Sequence, residues 1–99
     1  YPEIAPKVLK SAPDEAFAQA EAAARLMDWE IVAVSPADYR IEATATSLLF
    51  GFKDDVVIRV TPHAEGSRID VRSLSRVGIS DLGVNARRIQ EFMQRLEAK

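Results

Sequence analysis

The sequence predicts an α+β domain: a two-layer sandwich in which two helices cover one face of a four- to five-stranded, mainly antiparallel sheet, in the order β-α-β-β-β-β-α. Two observations carry this reading. The apolar period is about 3.6 residues over 14–27, falls to about 2 over 29–73, and returns to about 3.6 after residue 81. Within the period-two region, successive segments pair an apolar set with a polar set, as when helices cover only one side of an antiparallel sheet.

The opening Tyr1-Pro2-Glu3-Ile4-Ala5-Pro6 carries two prolines and suits an extended arm or edge strand, with a short first strand over 7–10. Ser11-Ala12-Pro13-Asp14 reads as a helix start, with a serine cap, a proline in the first turn and an acid three positions on. Phe17, Ala20, Ala24 and Met27 then form one stripe of an amphipathic helix. Its alanines let the helix axis lie close to the sheet.

From Trp29, the residues Trp29, Ile31 and Ala33 alternate with Glu30, Val32 and Val34 until Ser35-Pro36-Ala37-Asp38 breaks the run. Ile41, Ala43 and Ala45 next oppose Arg40, Glu42, Thr44 and Thr46. Beyond a turn near Gly51, Val56, Ile58 and Val60 oppose Val57, Arg59 and Thr61. After the turn Pro62-His63-Ala64-Glu65-Gly66, Ile69, Val71 and Ser73 oppose Arg68, Asp70 and Arg72. The final helix is expected from about Asp81 to Glu97, capped by Ser80, with Leu82, Ala86, Ile89, Phe92, Met93 and Leu96 buried. Arg87, Arg88, Gln90, Glu91, Gln94 and Arg95 are expected to face water.

At 99 residues, with 47% apolar and 28% charged side chains, the chain has room for one ordered domain, residues 1–99. Thirteen basic and fifteen acidic residues give a net charge of −2, without the basic footprint of a nucleic-acid binder. No cysteine is present, which removes disulfides, thiolate catalysis and cysteine-held metals. No apolar run approaches the about 20 residues of a membrane span. The start at Tyr1, without Met, reads as a piece of a longer protein.

Gly51-Phe52-Lys53-Asp54-Asp55-Val56-Val57 and the long run Arg72-Ser73-Leu74-Ser75-Arg76-Val77-Gly78-Ile79-Ser80-Asp81-Leu82-Gly83-Val84-Asn85-Ala86-Arg87-Arg88-Ile89 closely resemble the bacterial family called domain of unknown function 1499. The likeness runs in register along nearly the whole chain. It brings no activity, but it implies a context. Members look membrane-tethered, with hydrophobic segments ahead of the domain. Many also carry an upstream Asn-Cys-Val-Ser-like segment that this chain does not contain.

No residue pattern calls for a catalytic assignment, a metal or a cofactor. The candidate ligand-binding residues are Asp54, Asp55, Arg72, Ser73, Ser75, Arg76, Ser80, Asp81, Asn85 and Arg88. Arg72, Arg76 and Arg88 beside a helix start would suit an anion. Asp81 opposes that, and caps plus an Arg76–Asp81 or Arg72–Asp55 pair would explain the same residues as a locked corner. Asp54 and Asp55 resemble a paired-carboxylate site, but neighbours on a strand point to opposite faces. Leu48, Leu49, Phe50 and Phe52 offer a partner- or membrane-contacting tip, or a cap on the core. His63 reads as a solvated turn residue, and Trp29 as core.

The function favoured on this basis is a non-enzymatic binding or scaffold module near a membrane. The alternative is a small-molecule or anion binder, or an enzyme, using Asp54, Asp55, Arg72, Arg76 and Asp81. The candidate partners are a protein or a membrane surface, with no nucleic acid, and a second copy through an edge strand.

Overall fold

A computed structural model describes the backbone of residues 3–46, 51, 53–75 and 82–97, with side chains throughout except at 3–5, 82–85 and 97. Strands β1 (Glu3–Leu9), β2 (Glu30–Ser35), β3 (Arg40–Thr46), β4 (Lys53–His63) and β5 (Gly66–Ser75) form one sheet in the order β1-β5-β4-β3-β2. Every neighbouring pair is antiparallel. Helix α1 (Pro13–Leu26) packs on β4 and β5, helix α2 (Leu82–Glu97) packs on β1 and β5, and the helices touch each other. This is the α+β sandwich that the alternation of periods predicts.

The covered face takes its core from the predicted apolar sets. Ile41, Val56, Ile58, Ile69 and Val71 are fully buried under Ala16, Phe17, Ala20, Ala23 and Ala24 of α1 and Ile89, Phe92 and Leu96 of α2. Trp29 stacks on Phe92, with ring centroids 5.7 Å apart. The four buried alanines of α1 hold its axis against the sheet, as the alanine stripe requires.

Several local expectations are corrected. Of the two readings of the opening segment the edge strand holds, and the first strand is longer than expected: residues 3–9 run as one strand, where a missing N–H at Pro6 is tolerated. The cap of α1 is Ala12, not Ser11, and Pro13 occupies the first helical position. Ser11 Oγ instead donates to Gln19 Oε1 at 3.2 Å, and its carbonyl accepts from Ser67 Oγ at 2.7 Å. In β2 the alternation breaks at a bulge. Ile31 lies opposite Ala43 but Ala33 lies opposite Glu42, so Val32 is extra and exposed while Val34 returns toward the core opposite Ile41. Thr44, placed in the polar set, is buried, and Ala86 is exposed, outside the buried stripe of α2.

Gly66 marks the tightest passage. A Cβ there would meet the Leu9 carbonyl oxygen and come within 2.6 Å of Lys10 backbone atoms, and its φ of +144° belongs to glycine. The β4–β5 hairpin therefore passes directly beneath the end of β1.

Candidate functional site

The candidate residues divide between the two faces of the sheet. Asp54 and Asp55 are consecutive on β4, so one points under the helices and the other away from them. Asp54 is 5% exposed. Its Oδ2 accepts from Nη1 of Arg88 at 2.7 Å, and the same nitrogen donates to Ser73 Oγ at 3.1 Å. The two charged side chains are 8% and 9% exposed, so this is a buried pair that ties the first half of α2 to β4 and β5. Arg88 does not face water as its charge suggested. It stands one and two turns before Phe92 and Leu96 on the buried stripe, the spacing that could have revealed it.

Asp55 and Arg72 lie on the opposite, uncovered face. They are not directly opposed: Asp55 sits across from Leu74 and Arg72 across from Val57. The expected Arg72–Asp55 pair is not formed, since Arg72 makes no hydrogen bond or ion pair among the described residues. Ser75 is half-buried at the end of β5, opposite Asp54. Arg76, Ser80 and Asp81 lie outside the described residues, as do Leu48, Leu49, Phe50, Phe52 and the side chain of Asn85. Of the residues proposed for one cleft, the described ones divide: Asp54 belongs to a filled ionic contact on one side, and Asp55 and Arg72 to an open surface on the other.

That open surface gathers arginines from three strands. Arg40 of β3 lies directly opposite Arg59 of β4, and Arg59 lies opposite Asp70 of β5. Arg68 and Arg72 flank Asp70 two residues away along β5. Arg40 pairs with Glu42 along its own strand, and Arg68 with Asp70 at 3.1 Å. These intrastrand pairs occupy the nearby carboxylates and leave Arg59 and Arg72 without a partner among the described residues. Like charges directly opposed, as Arg40 and Arg59 are, destabilise a sheet unless an anion joins them.

In the middle stands Val57, short and half-buried. Because its neighbours are long, the surface sinks into an open depression of about 530 Å³ bordered by Arg40, Arg59, Arg68, Asp70 and Arg72. Leu74 and Val8, opposite Asp55 and Arg68 in register, are more than 40% exposed beside it. Composition hid this group because the chain as a whole is slightly acidic. The signal was the placement of all four arginines at polar positions of the predicted alternation.

Elsewhere, Tyr39 joins the β2–β3 connection to α1. Its hydroxyl donates to Asp14 Oδ1 at 2.6 Å and its ring meets Phe17 edge-on. The hydrogen bond to the Asp14 carboxylate, with lesser help from desolvation and charge repulsion, raises the phenol above its ordinary value near 10. His63 is exposed at the end of β4 and its Nδ1 accepts from the Glu65 N–H at 3.2 Å, a turn contact. Among the described residues, no group of three or more acidic or histidine side chains could hold a metal ion.

Residues 1–96 match the model of a family described as "Protein of unknown function (DUF1499)". The chain belongs to this family. No curated protein matches its sequence. Among solved structures, it is similar to protein CV1439 from Chromobacterium violaceum, with a TM-score of 0.70, 10% identity, and 98% of this chain and 95% of that one covered. It is similar also to protein MLL2253 from Mesorhizobium loti, with a TM-score of 0.70, 11% identity and coverage of 99% and 95%. TTHA0849 from Thermus thermophilus follows at 0.55, with 13% identity over 99% and 95%. At such identities the likeness concerns the fold alone.

Proposed function

We propose that this DUF1499 domain is a non-enzymatic binding module whose open sheet face is its recognition surface, held near a membrane in the intact protein. The observation that carries the reading is the pair Arg59 and Arg72, exposed beside Val57 with no partner among the described residues. Guanidinium groups are suited to bidentate contact with carboxylate or phosphate. The buried Asp54–Arg88 pair supports the non-enzymatic part, because a carboxylate already satisfied by an arginine and covered by a helix is not presented to a substrate. The membrane context rests on the family resemblance. No helix among the described residues is long and apolar enough to cross a bilayer.

A photo-crosslinking residue tests the assignment. Placed at Thr61, exposed on the open face, it is expected to capture a partner in extracts of the native host. Placed at Gln90, exposed on α2, it is expected to capture none. Adducts formed from Gln90 but not from Thr61 would overturn the choice of face.

A further inference from the structure

We propose that the open face receives an acidic polypeptide segment in extended conformation, two of whose carboxylates, spaced two residues apart, are bound by Arg59 and Arg72. The inference rests on the recognition surface assigned above and names its ligand.

The register sets the spacing. Val57 is opposite Arg72 and Arg59 is opposite Asp70, so Arg59 and Arg72 are diagonal neighbours across β4 and β5. Such diagonals are about 7–8 Å apart. Alternate side chains of an extended segment project on one side about 6.5 Å apart. Two carboxylates at positions i and i+2 therefore match the two guanidinium groups with little adjustment by either long side chain.

The floor and rim suit the remainder of such a segment. Val57 forms an apolar floor, and Leu74 and Val8 extend the apolar contact beyond the arginines. The depression is open and wide, whereas small-molecule sites bury most of their ligand's surface. An isolated inorganic anion would leave those apolar groups uncovered.

The same face discriminates against other polyanions. Glu42, Asp55 and Asp70 stand among its arginines, and they oppose the uniform negative charge of a phosphate backbone or an anionic bilayer. Among its described residues there is no phenylalanine, tyrosine or tryptophan, so it offers no broad stacking platform for bases. A segment with charges only at alternate positions can set them over Arg59 and Arg72 and keep uncharged groups near the acids.

The test uses a short fluorescent peptide alternating glutamate and valine, with blocked ends, in a binding titration followed by anisotropy. The peptide is expected to bind, with affinity falling as salt rises. Arg59→Ala and Arg72→Ala should each weaken it about tenfold, the scale of one charge-assisted contact. Arg59→Lys should restore only part of the loss, because a lysine keeps the charge without the planar fork. Arg87→Glu, which alters charge at an exposed site on α2, should leave binding unchanged.

Equal binding of the glutamine-for-glutamate peptide would overturn the proposal. So would full peptide binding by the Arg59→Glu/Arg72→Glu double variant with its circular dichroism intact. Inorganic phosphate, a single-stranded oligonucleotide and phosphatidylserine vesicles form the comparison arms. If one of these binds through Arg59 and Arg72 and the peptide does not, the ligand assignment is wrong. Crosslinks from Thr61 that persist in that case would leave the open face as the recognition surface, whereas their absence would remove the surface as well.

Discussion

Arginine serves in two ways on the two faces of this sheet. Under the helices, Arg88 is almost fully enclosed and its guanidinium meets Asp54 and Ser73. On the open side, Arg40 and Arg68 pair with carboxylates along their own strands while Arg59 and Arg72 stand without a partner among the described residues. The contrast is one of solvent. A buried charge without its counter-ion is severely penalised, so the covered face can hold an arginine only where an acid has been placed to meet it. Water satisfies the exposed arginines, which leaves them free to exchange that water for a ligand. A completed ion pair is therefore evidence of structural work, and an uncompleted group of exposed cations is where binding should be sought.

The contrast can be broken most directly at the buried pair. Asp54→Ala and Arg88→Ala should each reduce the free energy of unfolding in urea by about 3–5 kcal/mol, since each deprives an enclosed charge of its opposite across this contact. Replacing both residues with apolar ones of similar volume should cost less than the two single changes together. Losses below about 1 kcal/mol, the range of exposed pairs, would show that the covered face does not treat charge differently.

Between these extremes lies Tyr39, at the rim where α1 meets the β2–β3 connection. Its phenol is raised in the folded state, so the neutral form is the one the fold favours. The stability contributed by that bond is fully present below the ordinary tyrosine value near 10 and is lost as pH rises through the higher folded value. In an ultraviolet titration, Asp14→Asn should lower the pH at which Tyr39 ionises. An unmoved titration point in that variant would detach the shift from Asp14.

The smallest effects on stability are expected from the open face. Arg59→Ala and Arg72→Ala should change unfolding free energy by no more than about 0.5 kcal/mol. A small gain is expected for Arg59→Ala, because it removes the like charge facing Arg40. A large loss at either position would make these arginines structural and erase the distinction between the faces.

How much of this was legible depended on whether a residue's neighbours in space were also its neighbours in pattern. The alternation of Ile41, Ala43 and Ala45, of Val56, Ile58 and Val60, and of Ile69 and Val71 shows which face is buried, because period two maps directly onto the sheet. The pairing of Arg88 with Asp54 joins residues 34 apart in sequence, and no local period links them. Its only sequence trace was the spacing of Arg88, Phe92 and Leu96, which competed with the strong preference of arginine for water. The bulge at Val32 was hidden for a related reason: Val32, Ala33 and Val34 are all apolar, so a one-residue slip leaves the pattern unchanged to the eye. The open-face arginines were individually visible at polar positions, but their adjacency required the register between strands.

The same bulge has a consequence for self-association. β2 ends the sheet on one side, where an incoming strand from another molecule would seek an unbroken ladder of backbone groups. The extra residue at Val32 divides that border into Glu30–Ile31 and Ala33–Ser35. Each piece is shorter than the about six residues that stable cross-chain stacking requires. Val32 is 59% exposed in this strongly apolar strand, and the bulge interrupts the ladder that an incoming strand would need along this border.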